Sequence, residues 1–220
     1  MKKLCLFDLD GTLMNTIGTI AGYANQALAE AGLRTFTEED YKYFVGNGAR
    51  LLIERALKAQ NAMTEENFKK VFARYNELYD GAPYEGSAPY EGVCELLSHL
   101  ASHGILTAVL SNKPDFATRA VVSHFFPSHT FSAAHGGRDG VALKPSPEGA
   151  LLILEELGGI SPRDVLYIGD TAVDMDTGRA AGFETVGVLW GFRKEEELRA
   201  HHATHIVSDA KDILKLALTK

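Results

Sequence analysis

The chain has 220 residues, 45% hydrophobic and 23% charged, with 21 glycines and 7 prolines. This composition excludes long disordered tracts and suits one large α/β core, alone or with a small extra domain. A net charge of −7 excludes a global basic field for nucleic acid, so an anionic ligand must find local or metallic positive partners. No apolar run approaches the ~18 residues of a membrane span, and the apolar stretch before Asp8 is too short for a signal peptide, so a soluble cytoplasmic protein is expected. Cys5, on the first apolar run, and Cys94, in a helix-like segment, read as two buried free thiols of a reducing compartment.

In chain order, KLCLF at 3–7 is a continuous apolar run, as expected of a strand buried on both faces. TIGTIAGYANQALAEAG follows with Ile17, Ile20, Ala21, Ala24, Ala27, Leu28 and Ala31 at helical spacing. Thr37 can cap a short helix beginning EEDY, Gly46-Asn47-Gly48 precedes the helix ARLLIERALKAQ, and Thr64 can cap EENFKKVFARYNELY. Residues 16 to about 80 thus read as helices only. GAPYEGSAPYEG, from residue 81, is rich in Gly and Pro and reads as a linker or hinge.

Beyond it, helices and apolar strands alternate. VCELLSHLAS, ILTAVL, a helix from Pro114, TFSAA, a helix from Pro147, DVLYI, AVDMDTGRAA, TVGVL, HIV and KDILKLAL succeed one another. Alternating β and α predicts a Rossmann-like, doubly wound parallel sheet with helices on both faces. Residues 1–14 supply its first strand. The reading is therefore a catalytic core of residues 1–14 and 82–220, with a helical cap domain of residues 15–81 inserted after that strand.

In open α/β sheets, sites form beyond the carboxyl ends of the strands. The first strand ends in Asp8-Leu9-Asp10-Gly11-Thr12, and ILTAVL ends in Ser111-Asn112-Lys113-Pro114. Lys144-Pro145 precedes the Pro147 helix, and DVLYI ends in Gly169-Asp170-Thr171, with Asp174 one turn later. These charges explain one another if the ligands are a divalent metal and a phosphate. Mg²⁺ takes carboxylate and carbonyl oxygens, so Asp8, Asp170 and the Asp10 carbonyl can hold it while the Asp10 side chain moves protons. Lys144 and the Ser111 hydroxyl can hold phosphate oxygens, aided by free N–H groups at the start of the Pro114 helix. The implied chemistry is in-line attack of a carboxylate on phosphorus, giving an aspartyl-phosphate.

DLDGT at 8–12, Ser111, Lys144 and GDTAVD at 169–174 resemble, in order and spacing, the four motifs of the haloacid dehalogenase superfamily. The resemblance implies that Asp8 is the nucleophile and Asp10 the acid and then the base. It implies that Asp8, Asp10 and Asp170 bind Mg²⁺, and that Lys144 neutralises Asp8 and the phosphate. Thr12, Ser111 and Asn112 would serve the phosphate, and Asp174 would orient Lys144 and metal waters. A second acid at position 10 is similar to the phosphate-handling members. VGNGARLLIERAL at 45–57, with SNKP and GDTAVDMDTGRAAGF, looks closest to phosphoglycolate phosphatases, with 2-phosphoglycolate the favoured substrate among small phosphorylated metabolites. Arg50 could then pair with a substrate carboxylate, although Glu54, four residues on, offers it a plain surface pair. Asn15 departs from the acidic residue common at that place in the family.

The resemblance leaves rivals. A sugar-phosphate mutase of this family usually carries a His where Ile20 stands, and residues 13–33 contain no Lys, Arg or His. An inorganic pyrophosphatase with a similar cap is scarcely separable by sequence. His201, His202 and His205 read as a solvated helix end; His135 and Arg138, in a Gly-rich loop on the site side, have no assigned contact. Monomer and homodimer are both compatible with the sequence.

Overall fold

The computed structural model describes residues 1–219. They divide into two compact units, Thr16–Ser87 and the remainder, whose junctions fall at 15/16 and 87/88.

The larger unit begins with β1 (Leu4–Phe7) and a two-residue strand, β2 (Met14–Asn15). The smaller unit then supplies four helices, α1 (Ile17–Glu30), α2 (Glu38–Phe44), α3 (Ala49–Lys58) and α4 (Glu65–Gly81). The chain re-enters the larger unit at β3 (Ala88–Pro89), followed by α5 (Val93–Ser102), β4 (Leu106–Pro114) and α6 (Asp115–Phe125). Next come β5 (Ala133–Gly137), α7 (Glu148–Glu156), β6 (Val165–Gly169) and α8 (Ala172–Ala180). The last elements are β7 (Glu184–Val188), α9 (Glu195–Ala200), β8 (His205–Val207) and α10 (Ala210–Leu218).

Six strands form one parallel sheet in the order β5-β4-β1-β6-β7-β8. Counting only these strands, the order is 3-2-1-4-5-6, and the winding reverses between β1 and β6. β1 is buried along its whole length, as its unbroken apolar run requires, because helices cover both faces of the sheet. On one face, Leu4, Leu6, Ala108 and Tyr167 of the strands pack with Ile153 and Phe183. Loss of one such large apolar side chain costs about 2–5 kcal/mol. No helix among the described residues is long and apolar enough to cross a membrane.

In the helical unit, α1 buries Ile17, Ile20, Ala24 and Leu28, and α4 buries Phe68, Val71, Tyr75 and Tyr79. The two helices meet edge to face at Tyr23 and Tyr79, with ring centroids 5.9 Å apart. Thr37 accepts from the Asp40 N–H while Asp40 accepts from the Thr37 N–H, a capping box that fixes the start of α2. Arg55 Nη1 donates to the Phe44 carbonyl (2.8 Å) and Nη2 to Asn47 Oδ1 (2.6 Å), which shapes the VGNG loop from within its own unit.

Four sequence expectations need correction. The 81–92 stretch is more than a linker, since Ala88–Pro89 pairs antiparallel with Met14–Asn15; two-residue strands carry no readable periodicity. The strand expected over TFSAA starts later, at Ala133, because Thr130 and Ser132 are used in turn and strand-end bonds to Pro127 and Thr107. The helix end read at His201, His202 and His205 belongs to α9 (Glu195–Ala200), but His205 lies in β8. Cys94 is exposed, since Val93, Leu96, Leu97 and Leu100 take the buried face of α5; Cys5 is buried, and burial pushes its thiol up to about 12.

Candidate active site

The loops after β1 and β6 flank the point where the winding reverses, so the sheet brings Asp8 and Asp170 together. Gly11 and Gly191 let the chain close on Asp170. A Cβ on Gly11 (φ +89°) would stand 2.3 Å from Asp170 Oδ2, and one on Gly191 would stand 2.3 Å from Asp170 Cβ. Asp170 accepts from the Phe192 N–H at 2.7 Å and from the Thr12 hydroxyl at 3.3 Å. Thr12, expected on the phosphate, thus orients a carboxylate. Trp190 Nε1 donates to the Thr12 carbonyl at 3.0 Å and braces the same turn. Sequence reasoning missed Trp190, Gly191 and Phe192, although the loop after TVGVL is another strand end and could have been read as such.

Lys144 Nζ donates to Asp8 Oδ1 and to Asp174 Oδ1, both at 2.7 Å, and all three side chains are buried. Asp174 also accepts from the hydroxyl (2.7 Å) and N–H (3.1 Å) of Thr171 through Oδ2, which closes a capping box at the start of α8. Tyr167 donates to its Oδ1 at 3.3 Å. Asp174 therefore shares the Lys144 ammonium with Asp8.

The β4–β5 register slips between Leu110 and Pro114, where a bulge takes up extra residues of β4. Ser111, Asn112 and Lys113 continue the unbroken buried run of β4 that begins at Thr107, since both faces of the sheet are covered. Ser111 Oγ accepts from the Lys113 N–H at 3.2 Å. Asn112 was expected on the phosphate, but its amide is turned to the Lys144 backbone. Nδ2 donates to the Lys144 carbonyl (3.0 Å), and Oδ1 accepts from the Lys144 N–H (2.8 Å). The reason is the demand of buried main-chain groups for partners. Lys113 Nζ lies 2.5 Å from Asp10 Oδ1.

Arg50 lies in the helical unit. Its Nε is 3.0 Å from Glu54 Oε1, and its guanidinium carbon sits 4.8 Å from the centre of the Phe68 ring. His135 is buried, with Nε2 2.7 Å from Glu156 and Nδ1 3.3 Å from Arg138. His201 pairs with Asp176 and His205 with Glu184. Asn15 is an exposed residue of β2.

Asp8, Asp170 and Asp174 can each direct an oxygen to within 4.8 Å of the others. Three buried carboxylates face one ammonium, so with all groups charged the cluster carries −2. Burial first, then the Asp174 charge, push Asp8 from 3.8 to about 7, against the pull of Lys144. Burial, Asp174 and Asp8 likewise push Asp170 well above the usual range, opposed by the Phe192 N–H and Arg193. Burial opposes the Lys144 charge, yet Asp174 and Asp8 outweigh it and hold the ammonium well above its ordinary value. A hard divalent cation fits this oxygen-only, doubly negative donor set.

A pH dependence follows for the cation-free protein. Because Asp8 holds its proton more tightly folded than unfolded, its contribution to stability is greatest below 3.8 and is lost as pH rises through about 7. Urea melts in chelator should show Asp8→Asn gaining on the wild type across that interval. A difference constant with pH would show that Asp8 titrates at its ordinary value.

Residues 5–188 match the haloacid dehalogenase-like hydrolase family. The chain belongs to that family. Among relatives of this hydrolase, a phosphoglycolate phosphatase of Haemophilus influenzae is 35% identical over 219 residues, covering 97% of both chains. A solved structure from Lactobacillus delbrueckii subsp. bulgaricus superposes with a TM-score of 0.94 at 30% identity, covering all of both chains. That of a predicted phosphoglycolate phosphatase from Haemophilus somnus gives 0.90 at 30% identity, covering 98% of the hydrolase and 97% of its neighbour.

Proposed function

We propose that this hydrolase is a Mg²⁺-dependent phosphatase of small phosphomonoesters, with 2-phosphoglycolate the favoured substrate. The observation that carries the reading is Lys144 bridging Asp8 and Asp174, with Asp170 in the same buried cluster. Relatives named as phosphoglycolate phosphatases support the choice of substrate.

Asp8, Asp170 and the Asp10 carbonyl would hold Mg²⁺, which when bound offsets the charge of the carboxylates and of the phosphate. An Asp8 carboxylate oxygen attacks phosphorus as the P–O(ester) bond breaks, and Asp10 delivers a proton to the departing oxygen. Asp10 then takes a proton from the water that attacks phosphorus. The bond between phosphorus and Asp8 breaks, and inorganic phosphate leaves. Lys144 keeps Asp8 oriented throughout and, with Ser111, receives the phosphate oxygens. Asn112 and Asp174 hold Lys144 in place, one by its backbone and the other by its ammonium. The helical unit acts as the cap that reads the substrate, with Arg50 exchanging Glu54 for the glycolate carboxylate.

The test is phosphate release from phosphoglycolate, β-glucose 1-phosphate, pyrophosphate and a neutral-tailed ester. Phosphoglycolate should give the highest kcat/KM; pyrophosphate in that place would make the chain a pyrophosphatase, and conversion of β-glucose 1-phosphate to an isomer would make it a mutase. Arg50→Ala should raise KM for phosphoglycolate about tenfold, as expected for loss of a charge-assisted contact, with little change for the neutral ester. Equal losses on both would leave Arg50 as a surface ion pair. EDTA should stop turnover and Mg²⁺ restore it, and hydrolysis that persists in EDTA would refute the ion's role.

A further inference from the structure

We propose that Lys113 is a positioning residue for Asp10, an inference that rests on the reading of Asp10 as the proton-transfer group. Two lysines reach the β1 loop, and they divide its aspartates between them. Lys144 donates to Asp8 at 2.7 Å, whereas Lys113 lies 2.5 Å from Asp10 Oδ1. The Lys113 side chain is only 3% exposed, against 18% for Asp10, so the ammonium is the enclosed partner and the carboxylate the more accessible one.

The place of β4 beside β1 makes this reach possible. Its buried end carries Ser111, Asn112 and Lys113, with Asn112 bonded to the Lys144 backbone and Lys113 to Asp10. Gly136 of β5 lies close under the bulge, where a Cβ would stand 2.6 Å from the Lys113 carbonyl. The Lys113 backbone is therefore pinned from the neighbouring strand as well as by its N–H bond to Ser111 Oγ.

Anchoring Oδ1 fixes the plane of the Asp10 carboxylate, and with it the direction in which a proton is delivered to the ester oxygen. The proton moves from Asp10 to the leaving oxygen as that oxygen parts from phosphorus, and later from water to Asp10. A group acting in this way matters most where the leaving oxygen is basic and must be protonated. It matters little for an acidic phenol, which leaves unaided.

The experiment is kcat/KM across alkyl and aryl phosphate monoesters of graded leaving-group acidity, a parameter that stops at the first product release and excludes aspartyl-phosphate hydrolysis. Lys113→Met should lower kcat/KM for the alkyl esters about 30- to 100-fold, near the low end of what general-acid catalysis supplies. For the most acidic phenol the loss should stay under about fivefold. Asp10→Asn should show the same bias more strongly, and the double variant should be no worse than Asp10→Asn alone, because Lys113 acts through that carboxylate. Lys113→Arg should recover part of the alkyl-ester activity, and Lys113→Gln repeats the test should the Met variant fold poorly.

A loss equal for all leaving groups, accompanied by weaker inhibition by inorganic phosphate, would overturn the proposal and make Lys113 a phosphate ligand. Losses that multiply in the double variant would overturn it too. An Asp10→Asn variant without leaving-group bias would instead remove the acid assignment itself, and the positioning role with it.

Discussion

Asp8→Asn is expected to abolish turnover, with kcat falling at least about a thousandfold, because an amide oxygen does not attack phosphorus and no other group replaces it. The variant should nevertheless fold, and in the absence of divalent cation it should be more stable than the wild type at neutral pH. It removes one of three buried carboxylates that face a single ammonium. The two halves of this result check each other. Retained activity would overturn the nucleophile assignment. Lost activity with lost stability would mean that Asp8 is needed chiefly as the partner of Lys144.

Lys144→Met should do the opposite to stability. Both carboxylates that accept from Lys144 would remain buried with nothing positive between them. Removing one partner of a buried pair in this way costs about 3–5 kcal/mol. Denaturant melts in chelator should therefore show a much lower midpoint, and added Mg²⁺ should recover part of the loss. Turnover in saturating Mg²⁺ should still be down at least about a hundredfold, the scale for removal of one preorganised charge at a reacting centre. A midpoint within experimental error of the wild type would show that the cluster protonates to compensate, and that Lys144 contributes little to the fold.

How much of this was legible in the sequence depends on the kind of interaction. Buried strands and amphipathic helices announce themselves through period, so KLCLF, DVLYI and the stripe of α4 were readable, as was the parallel sheet that their alternation requires. Charges gathered at strand ends are equally visible, which is why Asp8, Asp10, Lys144 and Asp170 could be named together. Contacts that depend on where a loop returns were not legible. Asn112 carries no sign in the sequence that its amide will clamp the Lys144 backbone, because that follows from the path of residues 142–146. Lys113, within SNKP, has no part in the sequence reading, since its approach to Asp10 follows from β4 lying beside β1. Phe192 meets Asp170 through a backbone N–H, which any non-proline residue would supply, so no side chain there could have pointed to it.

The position of β1 also bears on how the protein comes to exist. Its partners are residues 106–109 on one side and 165–168 on the other. During synthesis the first strand must wait for both, while residues 16–87, whose helices pack on one another, can fold as soon as they emerge. Asp8 therefore meets Lys144 and Asp170 only late in assembly. A nascent chain that has not yet reached Asp170 thus lacks the charge arrangement on which the proposed chemistry depends.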